Sequence, residues 1–198
     1  LTEHGFDDFD VSEVSGDLTG YVQGELASAR ALIEPLLLAF RVDVHEDVGR
    51  LKFRSRGRVS LQPAEISVLA DLDDQPLWSE TRGHDSDFAA EAILTSFNPV
   101  LDYEQASARS RRAKAESQRI LRCDLPAVLA EETAQGAAED LLRDNRLARR
   151  SLVFALSPAE LAVETGDAFR LAGGPDGVFL VERIEDGAVR RIEARRVM

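Results

Sequence analysis

Hydrophobic and polar positions near the start of the chain predict a strand, a helix and a hairpin in that order. Residues 18–26 favour a short strand, and Ser28 is placed to cap a helix that follows. Behind this serine, apolar positions recur three and four residues apart, which is typical of one face of a helix. Pro35 lies inside that helix and is expected to kink it or to remove a hydrogen bond. Residues 40–57 then alternate around a turn and predict a β-hairpin.

The following stretch alternates with the period of strands. Residues 91–97 and 103–111 predict two strands joined by a turn at Asn98-Pro99. Residues 119–125 alternate as well, and Pro126 is expected to end that strand. The pattern is weak over residues 59–86, so only one or two short strands are expected there.

A long helix and a closing hairpin complete the pattern. Residues 127–149 predict a helix whose apolar stripe of small side chains suits close packing onto a sheet. Residues 151–157 predict a strand. Asp186-Gly187 predicts a two-residue hairpin loop, and this register places Ile184 opposite Val189 and Glu182 opposite Arg191.

These elements together predict an α+β, β-rich fold: a barrel or sandwich with one packed helix, plus a small strand-helix-hairpin module. We expect three regions. Residues 1–17 form an acidic lead-in, for which flexibility is one interpretation; residues 18–58 form the small module; residues 59–198 form the larger β-rich domain with the helix at about 127–149.

The composition of the chain bears on its function more than on its fold. Asp and Glu number 36 and Lys and Arg 24, which gives a formal net charge of −12. Such a chain is not expected to grip a nucleic-acid backbone. Its single cysteine, Cys123, excludes an internal disulfide, and no apolar run is long enough to span a bilayer. The sequence does not begin with methionine, and from this we expect an excerpt or processed form of a longer protein.

Basic residues concentrate in one stripe within this acidic chain. Residues 107–122 hold six Lys or Arg side chains and one Glu. The stripe is consistent with a surface for a protein partner or a neighbouring copy, or with an ordinary solvated strand face.

The sequence contains few residues that could form a catalytic or metal-binding site. His84 could act as a base with Asp85 or Asp87 as its orienting group, but these residues fall in a polar loop. The aspartates at 71, 73 and 74 lack the spacing and glycine of a calcium loop. Cys123 alternates with leucines and is expected in the core, while Trp78 and Tyr103 are expected as packing or interface anchors. The sequence therefore predicts no catalytic, cofactor-binding or metal-binding residues, and no cofactor.

Several segments resemble a family of phage tail proteins in their order and spacing. They are "EPLLLAF" followed by "GRLKFRSRG", the "NPVLDY" turn, "LAVETGD" before "FRL", and the closing hairpin. The chain is similar in particular to the large baseplate hub, or tail-tip, protein of alphaproteobacterial gene transfer agents. The resemblance covers about residues 17–198, and residues 60–87 match least.

This resemblance implies a structural, non-enzymatic virion component with tail-tube-like barrel modules. It further implies a homotrimer in the intact protein, forming part of a ring around the DNA exit channel and contacting tail tube, distal tail and tail-tip proteins. DNA would pass without specific binding, and the protein would be made in the bacterial cytoplasm and incorporated into the particle tail. The alternatives are a tail-tip module that binds the cell envelope or processes glycans, and an unrelated soluble α+β domain.

Overall fold

The computed structural model describes residues 1–14, 18–24, 26–47, 49–56 and 63–198. Within these ranges it contains two α-helices and thirteen strands arranged in three sheets, which confirms the predicted α+β, β-rich class. The chain divides into two compact units, each built from two separate segments. Unit 1 comprises Leu1–Val59 with Ala89–Arg143, and unit 2 comprises Ser60–Phe88 with Asp144–Met198. The domain bounds expected from the sequence stay a prediction.

The elements have the following bounds in chain order. The first half contains β1 (Phe9–Glu13), β2 (Gly20–Tyr21), α1 (Ala29–Ala39), β3 (Val42–Asp47), β4 (Arg50–Ser55), β5 (Ala64–Ile66), β6 (Trp78–Arg82) and β7 (Glu91–Asn98). The second half contains β8 (Glu104–Arg111), β9 (Ile120–Val128), α2 (Glu131–Leu147), β10 (Arg150–Leu156), β11 (Ala168–Leu171), β12 (Phe179–Asp186) and β13 (Arg190–Arg196).

Unit 1 contains two sheets. One has the order β1-β4-β3, in which the predicted β3–β4 hairpin is extended by β1 running parallel to β4. The other has the order β2-β9-β7-β8, in which β7 is antiparallel to β8 and parallel to β9. Strand β1 lies in the acidic segment and was not predicted, because only Phe9 and Val11 give it an apolar signal.

The core of unit 1 lies between the two helices and one face of the four-stranded sheet. Helix α1 begins as predicted, since the Ser28 hydroxyl accepts a hydrogen bond from the Ala31 amide at 3.3 Å. Pro35 is accommodated inside it. Helix α2 confirms the predicted stripe except for Ala130, which is exposed and precedes the helix, and the rest packs against alternate residues of β7 and β9. The buried members are Ala92, Leu94, Cys123, Leu125, Ala134, Ala138, Leu141 and Leu142.

Unit 2 is built on a six-stranded sheet of order β5-β11-β12-β13-β10-β6. Its neighbours pair antiparallel except β5, which runs parallel to β11. Phe154, Phe169 and Phe179 form the aromatic centre of its core, with the first two ring centroids 5.3 Å apart in an edge-to-face arrangement.

The prediction that Pro126 ends its strand is wrong, because β9 continues to Val128. The register between β7 and β9 shifts here: Thr95 faces Asp124, whereas Phe97 faces Val128. The extra residues of β9 make a bulge, a position that tolerates a proline because no ladder hydrogen bond from its nitrogen is needed.

The predicted register of the closing hairpin is also wrong. Ile184 faces Ile192 and Asp186 faces Arg190, so the loop contains three residues instead of two. A two-residue type I′ turn needs positive φ at both central residues, and neither Asp186 nor Gly187 has it. A bulge between Val181 and Arg183 then shifts the register again.

Candidate interaction surfaces

The structure separates the members of the suggested His84 cluster. The His84 ring nitrogen Nδ1 lies 2.8 Å from the Ser86 hydroxyl and also accepts from the Ser86 amide, so this side chain caps a short 3-10 turn. Asp85 instead contacts Arg146 and Arg149. One of the two carboxylates suggested to orient the histidine is thus held by two arginines, an arrangement that stabilises the fold.

The other suggested polar groups do not converge either. Asp71, Asp73 and Asp74 are exposed on one loop. Within the described ranges, no group of three or more His, Cys, Asp or Glu side chains is placed to hold a metal ion. No helix in the described part of the chain is long and apolar enough to cross a membrane. The expectation of no catalytic, cofactor or metal residue stays a prediction.

Cys123 lies in the core of unit 1, as expected from its alternation with leucines. Only 3% of its surface is exposed. Burial raises the pKa of the thiol to about 11, with a smaller contribution from the neighbouring Asp124 carboxylate. This cysteine is therefore a packing residue and a weak nucleophile.

The two aromatic anchors have different positions. Trp78 is half-buried and packs against the core of unit 2, whereas Tyr103 is 59% exposed at the tip of the β7–β8 hairpin. Asp102 and Tyr103 both have left-handed backbone angles, with φ of 53° and 60°. Val100 and Leu101 are exposed beside them, so the tip combines apolar side chains with a strained backbone.

A groove lies on the described residues of each unit. The groove of unit 1, of about 380 Å³, is lined by apolar side chains of α1 and the three-stranded sheet, among them Phe9, Leu37 and Phe53. The groove of unit 2, of about 510 Å³, is lined more by polar groups, among them Ser79, Thr81 and Arg191. Neither lining includes a carboxylate, so neither groove contains the paired acids of a glycosidase.

The basic stripe lies mostly on the four-stranded sheet of unit 1. Arg109 and Arg111 belong to β8 and Arg122 belongs to β9, and all three are exposed. Arg109 and Arg122 both pair in register with Ile93 of β7, one on each side. Because directly paired residues share a face of the sheet, the three arginines project from one face, which we call the outer face. The helices pack on the opposite face.

This grouping is a feature that the sequence alone did not reveal. The sequence shows that residues 107–122 are basic, but the parallel pairing of β9 with β7 determines which of them become neighbours. Strand alternation within β8 was the available signal, since it places Arg109 and Arg111 on one side.

Comparisons with protein families and with solved structures find proteins that are similar to this chain. The family described as "Putative phage tail protein" matches residues 28–184. No curated protein sequence matches the chain. A solved chain from the "Virion of native gene transfer agent (GTA) particle" is 28% identical with a TM-score of 0.85, and the match covers 100% of this chain and 45% of that one.

Two prophage proteins share the fold at lower identity. The 43 kDa tail protein of prophage MuSo2 from Shewanella oneidensis has a TM-score of 0.58 at 15% identity, covering 96% of this chain and 61% of its own. The prophage tail protein gp18 from Listeria monocytogenes has a TM-score of 0.51 at 16% identity, with coverages of 98% and 60%. The chain thus spans less than two thirds of each solved chain. Since the family match extends over most of its length, the chain belongs to the phage tail protein family.

Proposed function

We propose that this protein is a non-enzymatic structural component of the tail baseplate hub of a gene-transfer-agent-like particle. The observation that carries the proposal is the match of the whole chain, at 28% identity and a TM-score of 0.85, to a chain of a gene transfer agent virion. Similar sequence and fold over the full length favour a similar place in a similar particle.

In this proposal the protein acts as a homotrimer that forms part of a ring around the DNA exit channel. Its neighbours are the tail tube, the distal tail and the tail-tip proteins. A closed cyclic assembly uses different patches of each subunit at every contact, and the exposed sheet face and hairpin tip of unit 1 supply such patches.

The acidic composition suits the wall of a channel through which DNA leaves the particle. Acidic side chains exceed basic ones by 12. Walls of net negative charge repel phosphates, so DNA passes without being held. We further propose that the protein is made in the bacterial cytoplasm and incorporated into the particle tail.

The alternative, a tail-tip module that binds the envelope or processes glycans, has less support. Glycosidases place two carboxyl groups across a cleft, and the linings of the two described grooves contain none. Aromatic residues make up 6% of the chain, which is little for a sugar-binding platform.

Immunogold electron microscopy of purified particles tests the proposed position. An epitope inserted at the exposed hairpin loop after Asp186 should be labelled at one end of the tail only. The same epitope on the major tail tube protein serves as the control and should be labelled along the whole tail. Label along the whole tail for this protein, or particles without label, would contradict a hub position. Mass photometry of the purified protein should show trimers.

A further inference from the structure

The outer face of the four-stranded sheet carries an unusual arrangement of charge. We propose that this face, centred on Ile93 and ringed by Arg109, Arg111 and Arg122, binds an acidic surface of a second copy of the protein. The inference rests on the proposed oligomeric function and adds to it the surface through which copies meet.

The register defines the patch. Across the sheet, one row contains Arg109, Ile93 and Arg122, and the adjacent row contains Arg111, Glu91 and Ile120. Strands lie roughly 5 Å apart and alternate residues of a strand roughly 7 Å apart, so the three arginines start from backbone positions within roughly 12 Å of one another. The patch is therefore compact enough for one partner surface to contact all of it.

The three arginines lack partners within the described residues. Their guanidinium groups make no ion pair or hydrogen bond there, and the bond recorded at Arg109 is to its backbone carbonyl, from Gln135. Several arginines elsewhere in the chain are paired, for example Arg50 with Asp8 and Arg190 with Asp186. The carboxylates of Glu91 and Asp124 on the same face only partly offset the three cations, and an acidic partner removes the remaining repulsion.

The patch also contains the apolar element that protein interfaces use. Ile120 supplies this element, with 44% of its surface exposed, whereas Ile93 is already buried at 7% exposure. Apolar centres bordered by arginine are typical of protein interfaces, in which arginine is enriched and lysine depleted.

Charge complementarity favours a second copy over DNA as the occupant. Each copy carries a net charge of −12 and so offers acidic surface in excess. Net charge repels a second copy as well as a DNA duplex, so the local pattern decides between them: the outer face also includes Glu91 and Asp124, which would oppose phosphates. An acidic protein surface can arrange its own side chains around these two residues, whereas a phosphate backbone cannot.

Sedimentation velocity of the full chain tests the proposal with two triple variants. R109E/R111E/R122E reverses the patch. R30E/R170E/R191E reverses three exposed arginines outside it and gives the same change of net charge, so that long-range repulsion between copies is matched. We expect the wild type and the control to self-associate, and we expect the dissociation constant of the patch variant to be at least about tenfold higher. R109Q/R111Q/R122Q should weaken association too and covers the case in which charge reversal prevents folding, which circular dichroism checks.

Several outcomes would overturn the proposal. They are a monomeric wild type, equal association of the patch variant and the control, and binding of a fluorescein-labelled 20-base-pair DNA duplex that is lost in the patch variant. The gold-labelling experiment separates this failure from failure of the proposed function. If gold labels one end of the tail but the patch variant and the control associate equally, the hub position stands and the proposed surface is wrong.

Discussion

Asp85 forms ion pairs with two arginines: Arg146, in the last turn of helix α2, and Arg149, just after that helix. Its carboxylate contacts Arg146 and lies 2.8 Å from Nη1 of Arg149. The side chains of Asp85 and Arg146 are 19% and 8% exposed, so the group is largely removed from water. At this burial, removal of one partner of an ion pair is costly, because the charge that stays behind is poorly solvated.

We expect Asp85→Asn to lower the free energy of unfolding by about 2–4 kcal/mol, because both arginines lose their carboxylate. Urea denaturation followed by circular dichroism measures the change. Asp73→Asn, at an exposed position of the same unit, is the matched control and should stay within about 0.5 kcal/mol of the wild type. Equal effects of the two substitutions would show that the ion pairs contribute little.

The buried thiol gives a second prediction at this scale. Because burial raises the pKa of Cys123 to about 11, we expect its reaction with Ellman's reagent at pH 8 to be about a hundredfold slower, or more, in the folded protein than in urea. The folded rate should rise with pH towards 11. An unfolded thiol ionises near its ordinary value of 9.0, so the folded state loses stability as pH rises from there. Equal rates with and without urea would contradict the buried position.

At the scale of elements, two glycines have opposite surroundings. A Cβ atom at Gly136 of helix α2 would meet nothing within 4 Å, whereas a Cβ atom at Gly83 would lie 2.5 Å from Cε2 of Phe88. We expect Gly136→Ala to raise the free energy of unfolding by about 0.5–1 kcal/mol, since alanine favours a helix and restricts the unfolded chain. Gly83→Ala should lower it by about 1–3 kcal/mol through overpacking. Denaturant melts of both variants provide the comparison, and changes of the same sign would contradict the described packing.

Elements with strong local periodicity could be predicted from the sequence. Helix α1 with its Ser28 cap, the β7–β8 pair and the apolar stripe of α2 all carry such a signal. Strand β1 and the length of β9 could not be predicted, because they depend on pairing with residues far away in the chain. The register of the closing hairpin could not be predicted either, because its bulge and three-residue loop do not alter the alternation of apolar and polar residues.

The same distinction applies to the candidate surface. The charge of residues 107–122 was visible in the sequence, and so was the alternation that places Arg109 and Arg111 on one side. The position of Arg122 beside Ile93 follows from a parallel pairing across a long connection, which no local pattern encodes.

At the scale of the whole molecule, net charge governs how the protein behaves in solution. The acidic excess gives a sequence pI of about 4.7. We expect a solubility minimum near that pH, because self-repulsion between copies disappears there. Turbidity and the protein remaining after centrifugation, measured from neutral to acid pH at constant salt, locate the minimum. R30E/R170E/R191E should move it to lower pH, and an unmoved minimum would show that net charge does not control it.

Strand β13 lies between β12 and β10 in its sheet, yet it follows all the other strands of that sheet in the sequence. During synthesis the middle of the sheet therefore emerges from the ribosome last, and β5-β11-β12 and β10-β6 cannot be joined before it does. A stop codon or a proteolytic cut just before Arg190 would remove seven strand residues and divide one six-stranded sheet into a group of three strands and a pair.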